Sequence, residues 1–121
     1  MSAKNVTVVI VAWNQVQKTL DCLATVAALS TPPGRVLLVD NGSEPPLAPA
    51  VAARFPAVEL LRLPDNRGFA GGYNAGIRAA LEGGAAAVLL LNNDTLVAPD
   101  ALDRLAEALA ADERIGLVTA K

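Results

Sequence analysis

The chain has 121 residues, enough for one domain with a single core, and its 53% hydrophobic and 18% charged content excludes a disordered polymer. A net charge of −2 supplies neither the basic footprint that nucleic acid requires nor a polybasic membrane anchor. No apolar run reaches the ~20 residues of a spanning helix, so no transmembrane segment is expected.

Met1-Ser2-Ala3-Lys4-Asn5 lacks the long apolar region of a secretory signal. The single cysteine, Cys22, cannot form an internal disulfide and falls in a helical pattern, where it reads as a small buried hydrophobe. A soluble chain in a reducing, cytoplasmic setting is expected. Histidine is absent, which removes the commonest transition-metal ligand and the commonest general base. Any metal must therefore be held by oxygen.

Val6–Ala12 is β-branched and almost continuously apolar, the pattern of a parallel strand covered on both faces. A helix is predicted over 15–29, with Val16, Leu20, Leu23 and Ala27 at helical spacing, and Thr31-Pro32-Pro33-Gly34 ends it. A second strand follows at 36–39, and Leu47, Val51 and Phe55 form a helical stripe before Pro56. The third strand is expected over 58–63. Tyr73, Ile77, Ala80 and Leu81 mark one face of a third helix, which Gly83-Gly84 closes. The fourth strand covers 86–91, Pro99 suits the first turn of a fourth helix lined by Leu102, Leu105 and Leu109, and 115–119 reads as the start of a fifth strand. This alternation predicts a three-layer α/β/α domain with a mostly parallel sheet and right-handed crossovers.

Each of the first four apolar runs ends in polar residues: Trp13-Asn14, Asp40-Asn41, Asp65-Asn66 and Asn92-Asn93-Asp94-Thr95. In an open parallel sheet, ligands bind beyond the carboxyl ends of the strands, so these residues are expected to converge on one rim. Trp13 offers an apolar face to a nucleobase. Asp40 suits a base N–H or a ribose hydroxyl, while Asp40-Asn41-Gly42-Ser43 reads equally as a turn with a helix cap. The stretch from Asn66 to Gly76 is glycine-rich and runs into a helix start, where Gly68, Gly71 and Gly72 permit close backbone approach to an anionic ligand. Gly76 reads as a packing glycine, and Arg67 as either a phosphate partner or a solvated loop residue. Neither G-x-G-x-x-G nor the phosphate-loop motif is present, which disfavours a nicotinamide dehydrogenase and a phosphate-loop ATPase. Asn92, Asn93 and Asp94 offer oxygens to a hard cation such as Mg2+ or Mn2+, which needs only one or two carboxylates when substrate phosphates complete its shell. Their alternative is a capping turn.

In this order and spacing, Val8-Val9-Ile10-Val11-Ala12-Trp13-Asn14, Val39-Asp40-Asn41-Gly42-Ser43, the segment Asn66 to Gly76, and Leu89-Leu90-Leu91-Asn92-Asn93-Asp94-Thr95 resemble the nucleotide-binding half of family 2 glycosyltransferases. The glycine-rich segment and the Asn-Asn-Asp ending most resemble bacterial rhamnosyltransferase-type members. The resemblance implies a truncated GT-A fold and an inverting transfer of a sugar, rhamnose in that subfamily, from a nucleotide-diphosphate donor to a cell-surface polysaccharide or glycolipid. It also implies a divalent cation, Mg2+ or Mn2+. Carried over by position, it sets Ala12, Trp13 and Asn14 beside the nucleoside and Asp40 on the base. Asn66, Arg67, Gly68, Gly71 and Gly72 then line the nucleoside and diphosphate pocket, Asn92 and Asn93 border the donor, and Asp94 is the metal ligand. Asn92 stands where the family often has aspartate, which lowers the charge at the metal.

The family's catalytic base falls in a later motif within an acceptor-binding half. Residues 1–121 are accordingly expected to be a donor-binding half that binds a dTDP- or UDP-sugar without transferring it, and to work at the inner face of the membrane in a full-length parent. Apolar surface left without that second half predicts a homodimer. Two other readings remain: a non-catalytic binding or regulatory domain on the same fold, and a phosphoacceptor receiver domain. The receiver shares the α/β alternation and a late threonine and lysine, Thr119 and Lys121, but its acidic cluster is missing after the first strand.

Overall fold

The computed structural model describes residues 2–120, and their elements alternate as the hydrophobic pattern requires. After a 3-10 turn at Ala3–Asn5 come β1 (Val6–Ala12), α1 (Val16–Ala27), β2 (Arg35–Asn41), α2 (Ala48–Arg54), β3 (Glu59–Leu63), α3 (Gly68–Glu82), β4 (Ala87–Asn92) and α4 (Ala101–Ala110). The four strands are parallel in the order β3-β2-β1-β4.

Side-chain alternation along β1 divides the core. Val6, Val8, Ile10 and Ala12 face the layer of α1, α2 and α4, where they meet Leu20, Leu23, Val26, Leu47, Val51 and Leu102. Val9 faces the opposite layer, with Val39, Leu63, Tyr73 and Ala80. Both faces of the central strands are therefore buried, and the domain is the expected three-layer α/β/α sandwich. The layers are unequal, because α3 alone packs against β1, β2 and β4 on its side.

The chain runs outward from β1 to β2 and β3, then crosses back to place β4 on the other side of β1. The strand order thus reverses between β1 and β4, where open α/β sheets form a ligand crevice. A receiver domain would put β1 between β2 and β3, and this order rules that reading out.

Some expected details differ. Residues 115–119 form no strand: Leu117 is 89% exposed, Gly116 interrupts the short run, and no strand among the described residues pairs with it. Pro99 lies in a turn before α4, whose N-cap is Asp100, and its carbonyl accepts from Ser30 N–H at 2.8 Å. On α1 the buried stripe is Thr19, Leu20, Cys22, Leu23 and Val26, while Val16 and Ala27 are exposed. Leu81 of α3 also faces solvent.

Candidate functional site

Strand register brings the polar endings together. Ala12 pairs with Asp40 and Val11 with Asn92, so β1, β2 and β4 finish at nearly one level. Beyond them lies a cavity of about 390 Å³ lined by Val11, Trp13, Asn41, Asn66, Gly68, Phe69, Tyr73, Asn92, Asn93 and Asp94. It occupies the β1/β4 reversal point. Trp13 is 53% exposed there, unlike the buried strand that delivers it. A second cavity of about 410 Å³ opens at the other end of the strands, between Leu23, Val36, Phe55 and Val58, and is mostly apolar.

Six of the twelve residues expected at the site line the first cavity: Trp13, Asn66, Gly68, Asn92, Asn93 and Asp94. The other six do not line it. Asp40 is fully buried, and its carboxylate accepts from Ser43 N–H at 3.0 Å, Leu47 N–H at 3.0 Å and Arg62 Nη1 at 2.9 Å. Burial alone would raise its pKa, but the hydrogen bonds from Leu47, Ser43 and Arg62 outweigh this and hold it below the ordinary 3.8. Both of its oxygens bond within the β2–α2 turn or to Arg62, as the capping reading expects. Ala12 is buried in the core.

Asn14 adopts a left-handed conformation (φ 56°), as does Gln15 (φ 51°), which turns the chain sharply into α1. This turn is tied to the one after β2, since Asn14 N–H donates to Ser43 Oγ at 2.7 Å and Glu44 N–H donates to Asn14 Oδ1 at 3.0 Å. Asn14 therefore supports the rim. Arg67 points outward, 52% exposed and 3.6 Å from Asp65. Gly71 and Gly72 lie within α3, not in a loop. A Cβ at Gly72 would come 2.8 Å from Val11 Cγ1 and 3.1 Å from Asn41 Nδ2, and one at Gly76 would collide with Val9. These two glycines let α3 sit close on the sheet.

The lining residues outside the expected set are Val11, Asn41, Phe69 and Tyr73. Asn41 is 3% exposed, and its amide clamps the start of α3: Arg67 N–H donates to Oδ1 at 2.9 Å, and Nδ2 donates to Gly68 O at 3.0 Å. Gly42, at φ +79°, makes the clamp possible, because a Cβ there would approach the Asp65 carbonyl carbon to 2.5 Å. Asn66 Oδ1 accepts from Gly68 N–H at 2.8 Å, while the N-cap residue Arg67 makes no side-chain cap. Gly68 and Phe69, the first two residues of α3, line the cavity, so the helix N-terminus borders it. Tyr73 gave the apolar helical signal of a core residue, and its 6% exposure agrees. Its hydroxyl nevertheless reaches the end of β4, 2.6 Å from Leu91 O and 3.0 Å from Asn92 Oδ1. Burial, with the Cys22 and Asp94 charges adding to it, pushes its pKa up to about 12.

Beneath β4, Asn93 Nδ2 donates to Thr19 Oγ1 at 3.2 Å, and Cys22 Sγ lies 3.8 Å from Asn92 O. Burial pushes the Cys22 thiol up to about 11, so it is neutral at pH 7, as expected of a packing cysteine. Among the lining residues Asp94 carries the only formal charge, and lysine and arginine are absent. The donor set is all oxygen, with no cluster of three His, Cys, Asp or Glu among the described residues. Such a set fits a hard cation that takes the rest of its shell from water or phosphate, and it does not fit a zinc or iron centre.

Residues 7–120 match the family Glycosyl transferase family 2, and the chain belongs to it. Among solved structures it is similar to the mannosyltransferase PcManGT from Pyrobaculum calidifontis in complex with GDP-Man and Mn2+ (TM-score 0.69, 24% identity), covering 88% of this chain and 32% of that one. It is also similar to S. aureus TarS 1-349 (TM-score 0.66, 19% identity), covering 92% of this chain and 32% of that one. The chain thus spans about a third of the length of these neighbours, and the shared fold is the GT-A type. A search of curated proteins finds no match. Among the described residues no helix is long and apolar enough to cross a membrane.

Proposed function

We propose that residues 1–121 form the donor-binding part of an inverting glycosyltransferase, holding a nucleotide-diphosphate sugar in the cavity between β1 and β4. The observation that carries this is the pairing of an α3 N-terminus with the single carboxylate of Asp94 across one cavity at the strand-order reversal. A diphosphate there meets backbone N–H groups on one side and no cationic side chain on the other. It needs a cation as counter-charge, and Asp94 with Asn92 would hold Mg2+ or Mn2+. When bound, that cation supplies Lewis-acid stabilisation of charge on the departing diphosphate.

The side chains divide the remaining work. Trp13 gives the nucleobase a flat apolar face, Asn66 and Gly68 border the phosphates, and Asn93 is anchored on Thr19. Asp40, Asn14 and Asn41 act from behind by fixing the turns that carry these groups. No carboxylate other than Asp94 lines the cavity among the described residues, so nothing there activates an acceptor hydroxyl. The isolated chain accordingly binds donor and transfers nothing, which is also how a non-catalytic binding domain on this fold would behave. In a longer parent we assign transfer of rhamnose to a cell-surface polysaccharide or glycolipid at the cytoplasmic face of the membrane, on the likeness of the Asn-Asn-Asp ending to rhamnosyltransferase-type members.

Calorimetric titration with dTDP-, UDP- and GDP-sugars, each with and without Mn2+, tests the reading. Binding of at least one donor, strengthened by Mn2+, is expected; no heat from any of them at millimolar ligand would refute it. Robust sugar transfer by the isolated chain would refute the assignment as a binding part alone.

A further inference from the structure

Tyr73 reaches from α3 to the end of β4, with its ring edge-on to Phe69 at a centroid separation of 4.7 Å. Its hydroxyl lies 2.6 Å from the Leu91 main-chain oxygen and 3.0 Å from the Asn92 side-chain atom placed as Oδ1. A phenol has one proton, and a main-chain carbonyl only accepts. The shorter contact takes that proton. With Oδ1 turned to Tyr73, two oxygens would then face each other without a hydrogen between them. Amide oxygen and nitrogen are interchangeable in shape, so turning the group over removes that contact. Nδ2 then donates to a free lone pair of the Tyr73 oxygen, and Oδ1 faces the cavity.

We infer that Tyr73 is a positioning residue that holds Asn92 with its carbonyl oxygen toward the cavity, as a second oxygen donor beside Asp94 for a divalent cation. The inference rests on the donor-site reading above and adds how an asparagine serves at this strand end. An aspartate has two equivalent oxygens and needs no such orientation, whereas an asparagine presents either an oxygen or a cation-repelling NH2. The phenol decides which. Tyr73 and Asn92 thus form a unit, and the value of the hydroxyl depends on the residue at position 92.

Two measurements on the full 121-residue chain test this. In the metal-free protein, the Asn92 side-chain NH2 resonances are expected to move upfield on Tyr73→Phe, because the bonded proton loses its acceptor. For Mn2+ alone, followed by the paramagnetic resonance of the free ion, Tyr73→Phe should weaken binding by roughly tenfold, typical of losing a group that orients a ligand. The same change made on an Asn92→Asp background should leave Mn2+ affinity within about twofold of the Asn92→Asp single variant, since pairs that act together are non-additive. A merely structural tyrosine would weaken both backgrounds alike, and that result overturns the inference. An Asn92 amide signal that does not respond to Tyr73→Phe, in a protein that binds Mn2+, overturns the inference and spares the donor-site reading. A responsive amide in a protein that binds no Mn2+ overturns the cation half of the inference together with that reading.

Discussion

Asp40 is the residue whose role is most altered by its surroundings. Its 0% exposure and three hydrogen bonds make it the pin of the β2–α2 turn, and Arg62, one-third exposed, is its charge partner. Removing Asp40 leaves the Ser43 and Leu47 N–H groups unpaired and takes from Arg62 its closest carboxylate, so Asp40→Ala is expected to cost about 3 kcal/mol, measured by denaturant unfolding. The pH dependence has a definite sign. Because the folded-state pKa is held below the ordinary 3.8, the stabilisation is fully present above that value and is lost as pH falls through it toward the folded-state pKa. Asp40→Asn should flatten the acid limb of a stability profile below the ordinary carboxylate value, and an unchanged limb would contradict the assignment. No sequence pattern separates a turn-pinning aspartate from a base-reading one, since both follow a buried strand; the distinction lies in the approach of Arg62 from β3.

At the scale of elements, α3 sets the shape of the site. Its close seating on β1 and β2 depends on Gly72 and Gly76, whose missing side chains leave room for Val11, Val9 and Val39. For Gly76→Ala, overpacking costs about 1–3 kcal/mol against roughly 1 kcal/mol of gained helix propensity, so a net loss near 1 kcal/mol is expected from thermal unfolding. Gly116→Ala, with nothing near its would-be Cβ, should change stability by less than about 0.5 kcal/mol. The strands and helices themselves were legible, because β1 is continuously apolar and Leu47 and Val51 recur at helical spacing into the core. Two features were less so. The start of α3 at Gly68 was hidden by glycines that read as loop, and 115–119 carried a strand's composition without a strand's partner.

Across the whole molecule, the polar endings of β1, β2 and β4 become one cavity because parallel register aligns them, which the sequence order of the motifs already implied. The side chains behind the rim, Asn41 above all, were not marked by pattern because their work is hydrogen bonding to backbone 26 and 27 residues away. Of the two sheet edges, β3 carries Glu59 and Arg62, whereas β4 is uncharged along Ala87–Asn92, with Leu90 46% exposed. An apolar groove of about 500 Å³ runs beside it, past Leu96 and Leu105. Unpaired, uncharged edges favour strand addition, so the isolated chain is expected to self-associate through β4. Light scattering should give a dimer's mass that falls to a monomer's on Leu90→Lys, and a monomer at high concentration would contradict this.

On the proposed reading, Asp94 and the β1/β4 cavity hold a nucleotide diphosphate through a divalent cation. Titrating a nucleotide-diphosphate sugar with Mn2+ into the chain and into Asp94→Asn measures it directly. Mn2+ is expected to strengthen binding to the unaltered chain, and Asp94→Asn or chelation to weaken it by at least about tenfold, the loss of a charge-assisted ligand. Equal affinity in the two proteins, or affinity indifferent to Mn2+, would contradict that reading.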